Sequence, residues 1–328
     1  MASRIAFDVP LSGFAGATFL NCFTSVYLFL EGIPHGRHER HFFTFGTLCG
    51  HTSLRFRYGG EPTAMERLLC VRDFYDCGGD AAVDYLFGLA GYDFGQMVDP
   101  ADFKGEIESM VDAGRPVIVG TKAANDQYRI ITGYDGEMLL SPEYKGAQRP
   151  PENPPTYDEI EVLYVFGGKA EPRYGLPDGL RQIVKVMEAN KAEDTWGTYL
   201  AKFGSYPEGP DSFIKAGAEE KAARMRRLQK SMWDVMNVHN FAEVFRHRHH
   251  DGLRDPALDE LRARLGGPCY GYTHDLSAAL ITLADQADWK HYYAHFYGEM
   301  IELTLRQIAK NDDDVLEAVK GMIRLLEA

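Results

Sequence analysis

Between Pro142 and Pro177 the chain changes its texture, and that change limits what it can fold into more than any other feature. Before this passage, short apolar runs rich in aromatic residues are broken by Gly. After it, Ala, Leu, Glu, Lys and Arg recur at the spacing of amphipathic helices. The passage itself, "RPPENPPTYDEIEVLYVFGGKAEPRYGLP", is dense in Pro and holds one strand-like run, "IEVLYVF". No single periodicity spans the 328 residues, a length suited to two domains at roughly 100–200 residues each. The expectation is an α+β domain over 1–172 followed by an all-helical bundle domain over 173–328.

In the first part, Asn21 to Leu30 reads as a buried helix with Asn21 as its N-cap. "HFFTFGTLCG" and "SLRFRY" read as strands, while Met65–Cys70 and Ala81–Ala90 read as helices, the second left through Gly91. "PADFKGEIESMVDAG" predicts a helix closed by Gly114. "RPVIVGT" and "QYRIITGYD" predict strands, and "GEMLLSP" follows after a turn at Asp135-Gly136. In the second part, helices are expected over Asp178–Asn190, Asp211–Val235 and Pro256–Leu265. The longest helix is expected to run from Thr273 to Asn311, with a last one over Asp312–Leu326.

The net charge of −13 argues against nucleic acid and against an anionic membrane. Five cysteines, an odd number without a CxxC pair, fit reduced thiols in a cytoplasmic protein. Leu11 to Leu30 is not expected to act as a secretion signal. Asp8 and Pro10 interrupt its start, Arg4 is the one cation before it, and Asn21 precedes Cys22 where a lipoprotein site wants a small residue. "HGRHERH" spaces its histidines three apart, which spreads them around a helix, so it reads as a solvated loop and no metal is expected. Cys49 and His51, two apart on a strand, would share a face, with Cys49 in the core and His51 open to a cleft. No phosphate-binding glycine loop is present, and no cofactor is expected. The aromatic stripe "YYAHFYGEM" reads as core packing.

Cys22 is the residue on which function turns. A helix N-terminus stabilises a thiolate through unpaired N–H groups, and the same amides can serve as an oxyanion hole. Free cysteine is equally at home in a core.

The stretch "AGRPVIVGTKAANDQYRIITGYDGEMLLSP" resembles a segment of the papain-like cysteine peptidase superfamily. It is most similar to the branch of bacteriocin-processing peptidases and butirosin-type acyltransferases. The resemblance covers roughly residues 10–166. It implies a helix carrying a nucleophilic cysteine, here "CFTSVYLFLEG", laid on an antiparallel sheet. It also places a catalytic histidine at Gln127 and an aspartate at Ser141, and the oxyanion glutamine at Gly16. Of these four positions the cysteine alone is retained. No histidine occurs between Thr52 and Val238. Gln127 can orient a carbonyl or a water but carries no proton near neutral pH.

Two roles follow. In the first, Cys22 is the nucleophile for acyl transfer or hydrolysis of a small amide or thioester, with His274 of "GYTHDLSAAL" as the base. In the second, the cleft binds a small acyl or amide ligand without turnover. In either case Asn21, His51, Gln127 and Tyr128 are expected to line the cleft. The expected partner is a small molecule or an acyl or peptide ligand.

Overall fold

Helices and two antiparallel sheets make up the computed structural model. It describes residues 3–7, 18–50, 53, 55, 58, 80–97, 99–121, 128–142, 155–204, 212–238, 274–286 and 294–328. The chain divides into two compact units. The first is Met1–Cys49 with Leu68–Gly175, and the second is Gly50–Arg67 with Leu176–Ala328.

The first unit opens with β1 (Ser3–Arg4), α1 (Thr18–Leu30), α2 (His38–Leu48) and α3 (Asp80–Ala90). It continues with β2 (Tyr92–Met97), α4 (Pro100–Asp112), β3 (Val117–Thr121) and β4 (Tyr128–Ile131), then β5 (Gly133–Asp135), β6 (Met138–Leu140) and β7 (Ile160–Lys169). The larger sheet has the order β2-β7-β3-β4, and the smaller one β1-β5-β6. All pairings within named strands are antiparallel.

The continuous apolar runs have a simple cause: the larger sheet is covered on both faces. Strand side chains alternate between faces. Tyr164 and Phe166 of β7 meet Phe19 and Phe23 of α1, with ring centroids 5.0 and 4.9 Å apart. Leu163 and Val165 face the other way and join Phe103, Ile107 and Val111 of α4. A strand buried on both faces shows no polar alternation. Helix α4 matches its expected bounds because its ends are written locally. Asp99 caps it, accepting from the Ala101 amide at 3.0 Å, Pro100 occupies its first turn, and Gly114 leaves it at φ +75°.

Several expectations change. "HFFTFGTLCG" is not a strand: residues 38–48 form α2, and Cys49 is its C-cap. Its aromatic content mimics a strand, but His38, Phe42 and Phe45 are buried at helical spacing with Leu48. "HGRHERH" is therefore not a solvated loop. It forms a short 3₁₀ turn over His35–Arg37 and the start of α2. Asn21 is not an N-cap, because α1 begins at Thr18 and buries Phe19 and Leu20 in its first turn. "QYRIITGYD" is not one strand. The described part breaks at Thr132, where the chain passes from the larger sheet to the smaller. There the Ile5 amide donates to the Thr132 carbonyl and the Thr132 amide to the Leu140 carbonyl. The "YDFGQM" segment is a strand, β2, with no expectation behind it.

The described residues of the second unit hold α5 (Leu176–Ala192), α6 (Thr195–Phe203), α7 (Ala218–Val238), α8 (His274–Gln286) and α9 (Ala294–Leu326). No strand occurs among them. Helices α5 and α6 pack on α9, and α7 packs on α8. Helix α7 starts at Ala218 and not at Asp211, since Phe213–Lys215 form a turn. The helix expected from Thr273 to Asn311 ends at Gln286 in α8, while α9 runs without a break through Asn311–Asp314. The acidic run does not stop α9 because Asp312 is neutralised from within the unit. Arg55 donates to both of its carboxylate oxygens, at 2.9 and 2.6 Å. The helices expected at Met65–Cys70 and Pro256–Leu265 lie outside the described residues, as does "SLRFRY" apart from Ser53, Arg55 and Tyr58. No helix among the described residues is long and apolar enough to cross a membrane.

Candidate functional site

Helix α1 carries Cys22 into the middle of the first unit. Phe19 and Phe23 anchor the helix against aromatic side chains of the sheet, and α1 also packs against α2. Phe23 sits among Phe45, Phe87 and Phe166, at centroid distances of 5.3, 5.0 and 4.9 Å. Cys22 lies one residue away in sequence and is 1% exposed. It is the fifth residue of α1, so the N–H groups of the first turn do not stabilise its thiolate. Burial pushes its thiol pKa well above the ordinary range. Asn21 is buried beside it.

The imidazole of His38 on α2 reaches the backbone of α1 at Asn21. Its Nε2 lies 3.4 Å from the Asn21 carbonyl, which can only accept, so Nε2 carries the proton. Nδ1 is then a bare acceptor and has no partner, and the Ser25 hydroxyl on α1 has none either. Burial pushes the His38 pKa down to about 4, against the opposing pull of the Asn21 carbonyl. A neutral, weakly basic imidazole and a thiol held protonated do not form the ion pair that thiol catalysis requires. Sequence reasoning missed His38 as a buried group. The signal was present in the apolar spacing that begins at His38 and continues through Phe42 and Phe45.

The other expected site residues divide as follows. Tyr128 begins β4, is buried, and meets Phe19 edge-on at 5.1 Å, so its ring forms part of the core under α1. His51 and Gln127 lie outside the described residues. His274 is the first residue of α8, and its side chain lies outside the described part; Cys22 belongs to the first unit and His274 to the second. No group of three or more His, Cys, Asp or Glu side chains among the described residues is placed to hold a metal.

The His38 environment has a consequence for acid stability. The unfolded imidazole takes up a proton near its ordinary pKa of 6.5, and the folded one near 4. The neutral buried ring therefore favours the native state fully above about pH 6.5. That advantage is lost as pH falls through the window from 6.5 to 4, by about 3 kcal/mol in all. Urea unfolding followed by far-UV circular dichroism at pH 7 and at pH 4.5 is expected to show this loss. The variant His38→Phe should be distinctly less sensitive over the same window. An unchanged pH slope in the variant would remove His38 from the account.

Comparison with known proteins adds no relative: no family model, no curated protein and no solved structure matches the chain.

Proposed function

We propose that the first unit is a papain-like domain without thiol catalysis, and that the chain serves as a binding protein for a small acyl or amide ligand. The papain-like reading rests on the resemblance of "GRPVIVG…ITGYDGE", together with the placement of α1 against β3 and β4 of an antiparallel sheet. The non-catalytic reading is carried by one observation: Cys22 is buried and its thiol is held protonated. A nucleophilic cysteine needs an exposed thiolate in electropositive surroundings. This supports binding over acyl transfer by Cys22 with His274 as base.

The experiment compares wild type with Cys22→Ala against two probes, an N-acetylcysteamine thioester and an N-acyl dipeptide amide. The expected result is saturable binding of a probe with no hydrolysis, equal in both proteins. Hydrolysis that disappears in Cys22→Ala would restore the enzyme. The thiol itself gives a separate readout. In the folded protein Cys22 is expected to resist iodoacetamide over a period in which the urea-unfolded chain alkylates completely. Rapid labelling with a pH midpoint below the free value of about 8.5 would contradict the buried, protonated thiol.

A further inference from the structure

Helix α9 packs on α5, α6 and α8, and Ile301, Leu305 and Ile308 are fully buried on its inner face. Toward its N-terminal end the outer face is apolar as well. In the run "YYAHFYGEM", expected as core packing, Phe296 is 57% exposed and Met300 37%. Leu303, one turn further on, is 63% exposed. The three follow one another at intervals of four and three residues, the spacing of a stripe along one side of a helix. Of the six large apolar side chains exposed among the described residues, three therefore fall on this one face. A single exposed apolar side chain is ordinary, whereas a contiguous group of them marks a contact surface.

The charges beside the stripe are distributed unevenly along the helix. Glu299 precedes Leu303, while Arg306 and Lys310 follow it, and all three are exposed. At about 100° per residue, these side chains and the apolar ones all fall within about 60° of Leu303 around the axis. Glu299, Arg306 and Lys310 share one flank. Arg306 donates to Glu302 of the same helix from Nε and Nη2, at 3.0 and 2.6 Å, which holds the guanidinium on that flank.

A second copy of this helix, laid antiparallel across Leu303, meets these features in complementary order. Phe296 stands seven residues before Leu303 and Lys310 seven after it. Each Phe296 ring then lies opposite Lys310 of the other copy, where cation–aromatic attraction is favourable. Glu299 stands four residues before Leu303 and Arg306 three after it, so across the pair they differ by one residue, about 1.5 Å along the axis. A two-fold axis keeps the same flank of both helices on the same side, so this contact forms twice. In a parallel pair Glu299 would face Glu299 and Arg306 would face Arg306, and like charges oppose that arrangement. We propose that this face of α9 pairs with the same face of a second copy of the chain, antiparallel and centred on Leu303.

The face from Phe296 to Lys310 is about 21 Å long and one helix wide, smaller than the roughly 800 Å² per partner of a standard interface, so the pairing is transient. Each copy carries a net charge of −13, and salt is needed to screen the repulsion between them.

Sedimentation equilibrium of the full chain, at about 5–500 μM in about 0.15 M salt, is expected to show monomer and dimer in exchange. Leu303→Glu sets two carboxylates against each other at the centre. It should weaken the dimer at least tenfold and leave the circular dichroism unchanged, because Leu303 is exposed. The register is read by oxidation with diamide. Leu303→Cys should cross-link above the wild-type background, since the two copies of residue 303 face one another. Gln307→Cys should not, since its copies lie about 12 Å apart along the axis, beyond the reach of a disulfide. Three results would overturn the proposal. A chain that stays monomeric at the highest concentration would leave this face to a different partner. A dimer untouched by Leu303→Glu would put the contact elsewhere. Leu303→Cys linking no more than Gln307→Cys would reject the antiparallel register.

Discussion

Replacing Arg55 with methionine is expected to destabilise the second unit by about 3–5 kcal/mol, because it strands a largely buried carboxylate. The Arg55 side chain is 3% exposed and that of Asp312 16%. Trp196 would remain as a donor to Asp312, but it brings no charge. All three tryptophans, Trp196, Trp233 and Trp289, lie beyond residue 176, so their fluorescence during urea unfolding reports this unit. The double variant Arg55→Met with Asp312→Leu should recover a large part of the loss, since apolar replacement of both partners leaves nothing unpaired. A single variant within about 1 kcal/mol of wild type would mean that Asp312 is solvated and that the pair is not structural.

Phe23→Ala should be comparably severe in the first unit, at about 3–5 kcal/mol. The ring is fully buried and meets Phe45, Phe87 and Phe166, each within 5.3 Å. Its loss opens a cavity that rings on three other elements cannot all close. Phe23→Leu should lose clearly less. Cys22 and Cys49 are both buried in this unit and supply a probe of its opening. Their alkylation against urea concentration should shift to a lower midpoint in Phe23→Ala. If the midpoint stays where it is, α1 is not held by this aromatic cluster.

How far each element could be read from sequence depended on where its determinants lie. Helix α4 was legible because Asp99, Pro100 and Gly114 mark its ends locally. Strands β3 and β7 were legible because apolar runs of that length, bounded by turn residues, suit a sheet covered on both faces. Helix α2 was not, because Phe42, Phe43, Thr44 and Phe45 carry strand composition on a helical period. Asn21 misled because residue type alone nominates a cap, while packing of Phe19 and Leu20 carries the helix back to Thr18. At the candidate site, the placement of Cys22 on a buried helix was legible. The inertness argued for its thiol was not, since that depends on the burial that folding of the unit imposes on it. The buried ion pair of the second unit left no sequence signature at all, since Arg55 is 257 positions from the aspartate it neutralises.

That separation sets a timetable for the chain as it is made. Arg55 leaves the ribosome long before Asp312 exists, and at about 5–20 residues per second the interval is roughly 13–50 s. Ser53, whose carbonyl receives Asn190, and Tyr58, whose hydroxyl donates to the Arg224 carbonyl, wait over shorter spans of 137 and 166 residues. The segment from Gly50 to Arg67 is thus synthesised early and assembled late. A nascent chain stalled before residue 312 would hold an arginine committed to the interior with no counter-charge to meet it. The second unit gains its Arg55–Asp312 closure only once residue 312 has been made.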